Sequence, residues 1–578
     1  MLDKGLDKRA DNLRLKVVLC WHMHQPNYFD PAAGEYHLPW TYLHAIKDYV
    51  DMAAHLEAVP KARAVINFAP VLLEQLDDYA RQVERFLKEG TGIKDPLLAA
   101  LINPALPQDG ESRSLLVKAC LRANEQTIIQ RFPPYQQLAD IAARLEQSPG
   151  EWLYINNQYL VDIITWYHLA WLGETVRRSD LRAHTLIAKG SGFTMHDRRE
   201  LLEIISELLS GVIGRYRRLA EEGRVELSVT PYAHPIVPLL LDISSTREAM
   251  PDARLPLADH YPGGLVRAEW HIKKGIETYE HYFGMKPQGC WPSEGSMSMA
   301  TLALLDKHGF RWAASGESVL RNSLNLQQTP AELREVQVIH RPYRPDSEQI
   351  ACFFRDDGLS DLIGFSYAKW HADDAVSDLI HHLENIARLN ADKPEAVVSI
   401  ILDGENAWEY YPENGYYFLS ALYKRLSDHP KLELTTFSEY LQQQKSPPLS
   451  LPHIVAGSWV YGTFSTWIGS EDKNRGWDML VDAKRVYDHA IRGQHWSSEQ
   501  RQALERQLAI CEGSDWFWWF GDYNPSDAVS DFERLYRLQL TTLYQMMGEE
   551  PPEYLSHSFT RGGGSPEAGG VMRQGRET

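Results

Sequence analysis

The stretch Ile400-Ile401-Leu402-Asp403-Gly404-Glu405-Asn406-Ala407-Trp408-Glu409 decides the fold class of this chain. The apolar, β-branched run before Asp403 predicts a buried strand, and the acid followed by a glycine predicts an abrupt end to it. In barrels of parallel strands the catalytic groups lie where the strands end. Asp403 is therefore a candidate catalytic carboxyl group at the end of a barrel strand.

A second stretch, Gly289-Cys290-Trp291-Pro292-Ser293-Glu294-Gly295, has the same layout. Glu294 and Asp403 are far enough apart in sequence to lie on different strands of one barrel. Either acid alone could instead cap a helix or form a turn. Two carboxyl groups at strand ends, accompanied by Trp291 and Trp408 as candidate sugar-binding rings, indicate glycoside chemistry.

Strand-like runs alternate with helical patterns as far as residue 440, which predicts a parallel sheet of the α/β class. About seven or eight such repeats predict closure into a barrel, and their unequal connections favour an irregular (β/α)7 barrel. The predicted strands are Leu15–Trp21, Ala64–Phe68, Trp152–Asn156, Val225–Thr230, Gln288–Pro292, Arg311–Ala314, Ile350–Phe354 and Val397–Leu402.

Changes in composition and in hydrophobic pattern divide the chain into four parts. We expect an N-terminal tail over 1–14 and a barrel domain over 15–440 that carries a helical insertion at about 81–220. The polar, proline-containing stretch after residue 441 reads as a linker, and helical patterns without a strand follow it, so 441–555 is predicted to be an all-helical C-terminal domain. The glycine-rich segment 556–578 is expected to be disordered.

Charge and composition exclude several function classes. The net charge of −19 and the isoelectric point near 5.6 argue against a nucleic-acid or anionic-membrane partner, both of which need basic patches. The 17 Trp and 28 Tyr suit a neutral ligand that stacks on aromatic rings, although ordinary core packing accounts for many of them.

Cysteine usage and the N-terminal sequence predict a cytoplasmic protein. The five cysteines are odd in number and contain no CxxC pair, so the sequence indicates neither a disulfide framework nor a thiolate metal site. The N-terminus has no apolar segment of the kind found in secretory signals, and no 18-residue apolar window predicts a transmembrane helix.

Three histidines follow predicted strands. Alternation along the first strand places His22 and His24 on the same face, and His234 follows another strand, so all three converge at one end of a barrel. A His-x-His pair is a frequent metal-ligand spacing, so a zinc hydrolase is one interpretation. The alternatives are hydrogen bonds to sugar hydroxyls or hydrogen bonds within the core.

The C-terminal region is rich in tryptophan. Trp467 and the segment Ser514–Asp522, which contains Asp515 and Trp516, could form either a helix-packing core or a platform against the barrel. In the second case Asp515 would orient sugar hydroxyls. The sequence supports both interpretations equally.

Together these motifs resemble glycoside hydrolase family 57. The motifs His22-Met23-His24-Gln25-Pro26, Val225–His234, Cys290–Glu294, Leu402–Asn406 and the Trp467 region occur in the order of that family's conserved regions. The resemblance covers roughly residues 15 to 555. It implies an incomplete (β/α)7 barrel with a helical C-terminal domain that closes the cleft. It also implies activity on α-glucans, as in α-amylase, 4-α-glucanotransferase, amylopullulanase and branching enzyme; the family also contains α-galactosidases.

By this resemblance Glu294 matches the nucleophile and Asp403 the general acid/base, while His22 and His24 match substrate-contacting positions. The expected enzyme is a retaining, cofactor-free hydrolase of α-glucans or maltooligosaccharides. The Val229-Thr230-Pro231-Tyr232-Ala233-His234-Pro235 segment is similar to an α-amylase-type subgroup, with 4-α-glucanotransferase as the alternative.

The opposing class is a zinc-dependent polysaccharide deacetylase or a family 38-like mannosidase. Such an enzyme would use His22, His24, His234 and an acid as metal ligands. The sequence has no Asp-Asp pair on an early strand and no Glu-x-x-His helix to complete that site.

Overall fold

A computed structural model describes residues 14–326, 336–493 and 495–564. Seven parallel strands form its central barrel, and we number them in chain order: β1 (Leu15–Met23), β2 (Ala64–Phe68), β3 (Val225–Val229), β4 (Gly289–Cys290), β5 (Trp312–Gly316), β6 (Ala351–Arg355) and β7 (Val397–Asp403). Each strand pairs with the next, β7 pairs with β1, and Ser399 of β7 pairs with Arg355 of β6 to close the barrel. The predicted irregular (β/α)7 barrel is confirmed.

The register of β1 and β7 positions the site. His22 of β1 lies opposite Asp403 of β7, because seven consecutive pairs run without a bulge from Lys16–Val397 onwards. Both strands are buried along nearly their whole length, as the apolar runs predict. The five cysteines are buried and unpaired, as a sequence without a disulfide framework requires.

Short additional strands flank the barrel. Phe29–Asp30 pairs with Glu35–Tyr36, Leu432–Leu434 runs beside β1, and Tyr343–Arg344 lies between β6 and Leu449–Ser450. The strand Leu449–Ser450 contradicts the expectation that no strand follows residue 441.

The predicted strand Trp152–Asn156 is wrong. Residues Pro149–Tyr154 form a 3-10 helix, and the side chain of Asn156 caps the next helix by accepting a hydrogen bond from the backbone amide of Tyr159. Trp152 is buried while Tyr154 is largely exposed, so the run is not a strand buried on both faces. The buried Trp152 made the segment resemble the start of a strand in sequence.

Helices surround the barrel and fill the long connection between β2 and β3. The α-helices that follow β1 and β2 are Trp40–His44, Val50–Ala58, Pro70–Glu89, Pro96–Ile102, Gly110–Ala119, Pro133–Glu146, Asn157–Ala170, Glu174–Ser179, Leu181–Lys189 and Met195–Glu221. Those that follow β3 to β7 are Val237–Leu241, Thr246–Ala249, Gly264–Phe283, Met299–Lys307, Glu317–Leu326, Asp357–Asp361, Ala372–Leu389, Tyr416–Ser427 and Phe437–Gln443. No helix in the described ranges is long and apolar enough to cross a membrane.

The C-terminal α-helices are Glu471–Gly493, Ser498–Cys511, Asp515–Trp519 and Ser526–Met546. Glu512 joins them to the barrel, because its buried carboxylate accepts hydrogen bonds from Arg267, His271 and Tyr261. Burial alone would raise the pKa of Glu512, but Arg267 and His271 outweigh it and lower that pKa to about 2. A buried, fully paired carboxylate of this kind fixes how the helices sit on the barrel.

The segment around Phe559 and Thr560 packs on these helices. Phe559 contacts Phe520, and the Thr560 hydroxyl donates to Asp472, so the first residues of the predicted tail 556–578 are in contact with the protein. Residues 1–13 and 565–578, where disorder or a tail was expected, lie outside the described ranges.

Candidate active site

A cavity of about 280 Å³ lies where the barrel strands end, between the barrel and the C-terminal helices. His22, His24, Glu294 and Asp403 line it from the barrel side. The facing wall comes from the C-terminal part of the chain, and its residues include Trp459, Val460, Asp515, Trp518 and Trp519. The structure thus brings together both predicted catalytic acids and two of the three predicted histidines around one space.

Glu294 follows β4 in a strained backbone conformation. Its φ of 58° and ψ of 27° are left-handed, which costs a residue other than glycine about 1–2 kcal/mol. Trp459 holds it there: the Trp459 backbone amide donates to the Glu294 carbonyl (3.1 Å), and the indole N–H donates to Glu294 Oε2 (2.9 Å). Strain of this kind persists at sites where a side chain must point in one direction.

Asp403 is the last residue of β7. Its Oδ2 accepts a hydrogen bond from the Asn406 side-chain amide at 3.0 Å, and the Gly404 amide donates to the His22 carbonyl at 2.7 Å. A Cβ atom at Gly404 would lie 2.3 Å from the Met23 sulfur, so a larger residue here would require the Met23 side chain to move. The glycine therefore allows the chain to turn directly after the carboxyl group.

Burial changes the ionisation of both acids. Desolvation and the Asp403 charge raise the pKa of Glu294 well above its usual value, while the Trp459 hydrogen bond opposes that rise. Desolvation raises the pKa of Asp403 to about 6, against the Asn406 hydrogen bond and the nearby His24 and Arg355. Because both carboxyl groups are desolvated and the Asp403 charge acts on Glu294, the pair keeps one proton to a higher pH than isolated carboxyl groups do. One ionised and one protonated carboxyl group is the state that a retaining glycosidase needs.

The hydrogen bonds of His22 and His234 define their tautomers. Asn67 Oδ1 accepts from His22 Nδ1 at 2.6 Å, so His22 Nε2 must accept the hydrogen bond from His234 Nε2 at 3.1 Å. His234 Nδ1 then accepts from the Ser514 hydroxyl at 2.7 Å. Burial lowers the pKa of His22 to about 3 and that of His234 well below its usual value. Both rings are neutral, and His234 lies behind the cavity wall, supporting His22.

His24 bridges the barrel and the C-terminal helices. Its Nε2 donates to Asp515 Oδ1 at 2.8 Å. Its Nδ1 is buried and has no hydrogen-bond partner within the described part of the chain. This nitrogen has almost no accessible surface, so the rest of the His24 ring lines the cavity.

One group of side chains has the composition of a metal site: His24, His234 and Asp515 have ligand atoms within 4.8 Å of one another. The two imidazole rings are stacked, however, with centroids 3.8 Å apart and an angle of 13° between the planes. A ring nitrogen binds a metal in the plane of its ring, so two stacked rings cannot both direct a nitrogen at one ion in the tetrahedral geometry of zinc. The arrangement therefore disfavours the zinc interpretation.

Four predicted sugar-binding tryptophans lie in the packed interior instead of at the cavity. Trp291, Trp408, Trp467 and Trp516 are at most 1% exposed, and none lines the cavity. The indole N–H of Trp408 donates to the Gly404 carbonyl, and Trp291 packs edge-on against Trp459 at 5.2 Å. These rings support the residues at the cavity wall.

Helical spacing identifies the rings that do face the cavity. In the helix Asp515–Trp519, residues three and four apart share a face, which places Trp518 and Trp519 beside Asp515 and directs Trp516 elsewhere. The indole N–H of Trp516 donates to the Ile510 carbonyl, away from the cavity. The sequence could have predicted this, because Trp518 and Trp519 lie three and four residues after Asp515 in the same helix and therefore share its face.

Arg355 and Glu405 also line the cavity and were missing from the predicted site. Arg355 ends β6, donates to the Ile401 carbonyl (2.8 Å), and pairs with Asp357 and Asp361. Glu405 is buried two residues after Asp403, and its Oε1 accepts from the His24 backbone amide at 3.4 Å. Both are ionisable residues at or just after the end of a barrel strand. The same criterion identified Asp403 as a candidate from the sequence.

Comparisons with known proteins agree with this architecture. The profile of Glycosyl hydrolase family 57 matches residues 18–452. The chain is 28% identical over 115 residues to the 1,4-alpha-glucan branching enzyme TK1436 of Thermococcus kodakarensis, a match that covers 20% of this chain and only 14% of that relative.

Three solved structures share the fold. The TK1436 branching enzyme has a TM-score of 0.54 at 15% identity, with 92% of this chain and 90% of that chain covered. The alpha-amylase AmyC of Thermotoga maritima has a TM-score of 0.53 at 13% identity, with 93% and 97% covered. The 4-alpha-glucanotransferase of Thermococcus litoralis has a TM-score of 0.50 at 13% identity, with 92% and 60% covered.

Proposed function

Since the chain belongs to glycosyl hydrolase family 57, we propose that it is a retaining enzyme of the α-amylase type that hydrolyses α-1,4-glucans. One observation carries the proposal: Glu294 and Asp403, both half-buried, lie after and at the end of a barrel strand respectively and line one cavity with aromatic walls. Paired carboxyl groups beside aromatic rings are the groups that glycoside cleavage requires.

In the first step, Glu294 attacks the anomeric carbon and forms a glycosyl ester. Asp403 gives its proton to the glycosidic oxygen as the carbon–oxygen bond breaks and the shortened glucan leaves as an alcohol. In the second step, Asp403 takes a proton from water, the water oxygen attacks the anomeric carbon, and Glu294 leaves as a carboxylate. Two displacements at one carbon retain its configuration.

The surrounding residues position these groups and the sugar. We assign Trp459 to orient Glu294, since it binds both the backbone and the side chain of that residue. We assign the His24–Asp515 pair to the binding of sugar hydroxyls, since both side chains line the cavity and hold each other in place. His22 lines the cavity, and His234 holds it in one tautomer.

The second candidate is 4-α-glucanotransferase activity at the same site, in which a sugar hydroxyl replaces water in the second step. The lining of the cavity supports this candidate, because it includes the half-buried Trp40 ring as well as the two carboxyl groups, and an aromatic ring suits an acceptor sugar. Transfer needs an acceptor that is bound more effectively than water.

Incubation with purified maltoheptaose, followed by chromatography and a reducing-end assay, tests both candidates. Hydrolysis yields only shorter products and a rising number of reducing ends. Transfer yields products longer than maltoheptaose at a constant number of reducing ends. If the purified protein converts neither maltoheptaose nor amylose, the proposed substrate class is wrong.

We expect chelation to leave activity unchanged, because no step uses a metal and the stacked rings of His24 and His234 do not suit one. The rate on maltoheptaose should be the same before and after dialysis against EDTA, and elemental analysis should find less than about a tenth of a zinc ion per chain. Loss of activity that added zinc restores would support the deacetylase-like or mannosidase-like class instead.

The C-terminal part of the chain should be required for activity, since Trp459, Asp515 and Trp518 form one cavity wall. A chain ending at Gln444 should be inactive even where it remains folded.

In the full chain, Trp459→Phe removes the indole hydrogen bond to the Glu294 side chain and should lower kcat about tenfold or more.

The matched control is Trp467→Ala. Trp467 is fully buried and lines no part of the cavity, so its removal should cost about 3–5 kcal/mol of stability in chemical denaturation but preserve kcat/KM per folded molecule. If Trp467→Ala left the stability of the protein unchanged but raised KM, Trp467 would be a sugar-binding residue and not a packing residue.

A further inference from the structure

Arg355 contacts the supports of both catalytic carboxyl groups. It is the last residue of β6, it lines the cavity, and it is only 3% exposed. Its Nε donates to the carbonyl oxygen of Ile401 at 2.8 Å, and Ile401 lies two residues before Asp403 on β7. Its guanidinium group also lies 5.5 Å from the centre of a Trp459 ring, and Trp459 binds Glu294. One buried side chain therefore connects the strand of one acid with the residue that orients the other.

The contact with β7 lies where the barrel closes. On one side, β7 is held by β1 along seven consecutive residue pairs. On the other side, the register with β6 consists of Ser399 with Arg355, and the Asp356 amide donates to the Ser399 carbonyl at 2.8 Å. Backbone pairing thus holds β7 less extensively on the β6 side, and the bond from Arg355 to Ile401 adds a link there, nearer to the catalytic end of the strand.

Two carboxylates hold the Arg355 side chain in one orientation. Nη1 donates to Asp357 Oδ1 at 2.8 Å and Nη2 donates to Asp361 Oδ1 at 2.7 Å, at the two ends of the short helix that follows β6. Burial lowers the pKa of Arg355, but the charges of Asp361 and Asp357 outweigh it and raise that pKa, so the side chain stays a cation. A planar group bound at three nitrogens cannot rotate, which also fixes its position against the Trp459 ring.

We propose that Arg355 is a positioning residue for both catalytic carboxyl groups: it holds β7 beside Asp403, and it holds the Trp459 ring that orients Glu294. It transfers no proton and forms no bond to the sugar in either chemical step. This inference rests on the proposed two-step cleavage of α-glucans.

The charge of Arg355 also acts on Asp403. The ionisable groups that interact with Asp403 are Glu294, His24, Glu405 and Arg355. Burial raises the pKa of Asp403, and Arg355 is one of the groups that oppose that rise. Since an arginine keeps its charge over the whole pH range of an assay, the pKa of Asp403 should be higher without it.

Arg355→Met in the full-length protein removes both the contacts and the charge. For maltoheptaose, the maximum of kcat/KM should fall about tenfold or more, because both acids lose a support. The decline of kcat/KM at higher pH should move up by about half a pH unit or more, since Asp403 then keeps its proton longer. For α-maltosyl fluoride, whose leaving group needs no proton, kcat/KM should still fall about threefold or more, because Glu294 is less well oriented.

Arg355→Lys separates the charge from the contacts. Lysine keeps the positive charge but lacks the planar fork that reaches three acceptors, so the decline should stay at the wild-type pH while the rate on α-maltosyl fluoride falls. The matched control is Arg177→Met. Arg177 is equally a buried arginine paired with a carboxylate, that of Glu174, but it lies in the helical insertion and does not line the cavity. This control should lower the melting temperature but preserve both kcat/KM values per folded molecule.

The proposal requires both effects of Arg355→Met. If the decline stays at the wild-type pH, or if the rate on α-maltosyl fluoride equals that of Arg177→Met, the positioning role is wrong and the proposed function stands. Melting temperatures show which variants are folded. Where Arg355→Met does not fold, Arg355→Lys decides, because a wild-type rate on α-maltosyl fluoride overturns the proposal and a reduced rate supports it.

Failure of the proposed function has a different signature, in which the wild type converts neither an α-glucan nor α-maltosyl fluoride. Carbon-13 NMR of protein with labelled aspartate side chains then measures the pKa of Asp403 directly, and Asp403→Asn identifies its signal. A higher titration midpoint in Arg355→Met than in the wild type supports the action of Arg355 on Asp403, and equal midpoints overturn it.

Discussion

Glu294→Ala should lower kcat/KM on maltooligosaccharides by at least about a thousandfold while the protein stays folded. The covalent step has no nucleophile in this variant, and the remaining groups can only bind the sugar and protonate the leaving oxygen. The measurement is the initial rate of reducing-end release by wild type and variant at matched concentrations. A variant that retains more than a tenth of the wild-type rate would remove Glu294 from the nucleophile role.

Azide identifies the missing step. A small anion can enter the space left by the Glu294 side chain, attack the anomeric carbon and leave as a glycosyl azide, so added azide should restore part of the rate. A single displacement inverts the centre, and the product should therefore be the β-glycosyl azide. Formate, tested in parallel, can replace the carboxylate itself.

Two further variants separate catalysis from folding. Glu294→Gly is compatible with the left-handed backbone and removes a desolvated carboxyl group, so it should melt at least as high as the wild type while remaining inactive. Glu277→Ala is the surface control, because this exposed glutamate on the helix Gly264–Phe283 does not line the cavity. Loss of activity in Glu277→Ala would indicate a general effect of removing carboxylates.

The strands and the two acids could be predicted from the sequence because their signals are local. The apolar run before Asp403 and the alternation of His22 and His24 fix which strand each belongs to and where that strand ends. Parallel pairing then places the ends of β1 and β7 side by side, as the register of His22 with Asp403 confirms. Only the order of strands is needed to bring such residues together.

The aromatic part of the site could not be predicted in the same way. A tryptophan close to a catalytic acid in sequence, such as Trp291 or Trp408, need not line the cavity, and both rings pack into the interior. The Trp459–Glu294 contact joins residues from opposite sides of the barrel–helix boundary. This contact depends on how the C-terminal part of the chain packs against the barrel. Hydrophobic periodicity in the sequence does not predict that packing.

Docking itself depends on buried polar pairs. Glu512 with Arg267, and His24 with Asp515, connect the C-terminal helices to the barrel through side chains that are far apart in sequence. From the sequence alone, Glu512 and Asp515 are expected to be ordinary surface charges. Whether an acid is buried, and which residue it pairs with, is decided only in the folded chain. The sequence could identify Asp515 as a candidate but could not name its partner.

Asp403→Ala should abolish hydrolysis of maltooligosaccharides, by about a thousandfold or more, yet spare substrates that need no acid. Fluoride leaves without protonation, so the variant should still form the glycosyl ester from α-maltosyl fluoride. The ester would then accumulate, because Asp403 is also the base that activates water. Mass spectrometry of the intact variant should detect one maltosyl adduct on Glu294, and a variant that turns over both substrates equally well would exclude Asp403 as the acid/base.

The pH profile gives an independent test of the same residue. The two carboxyl groups share one proton, and in the first step Asp403 must carry it while Glu294 is ionised. Since burial raises the pKa of Asp403 to about 6, the wild-type kcat/KM for maltooligosaccharides should fall about tenfold per unit above that pH. It should also fall at low pH, where Glu294 takes up a proton and can no longer attack. An unperturbed aspartate, with a pKa about two units lower, would place the fall near pH 4. With α-maltosyl fluoride the first step needs no proton from Asp403, and the fall near pH 6 should disappear. A fall at the same pH for both substrates would show that another group titrates there, because only the oligosaccharide needs the proton that Asp403 carries.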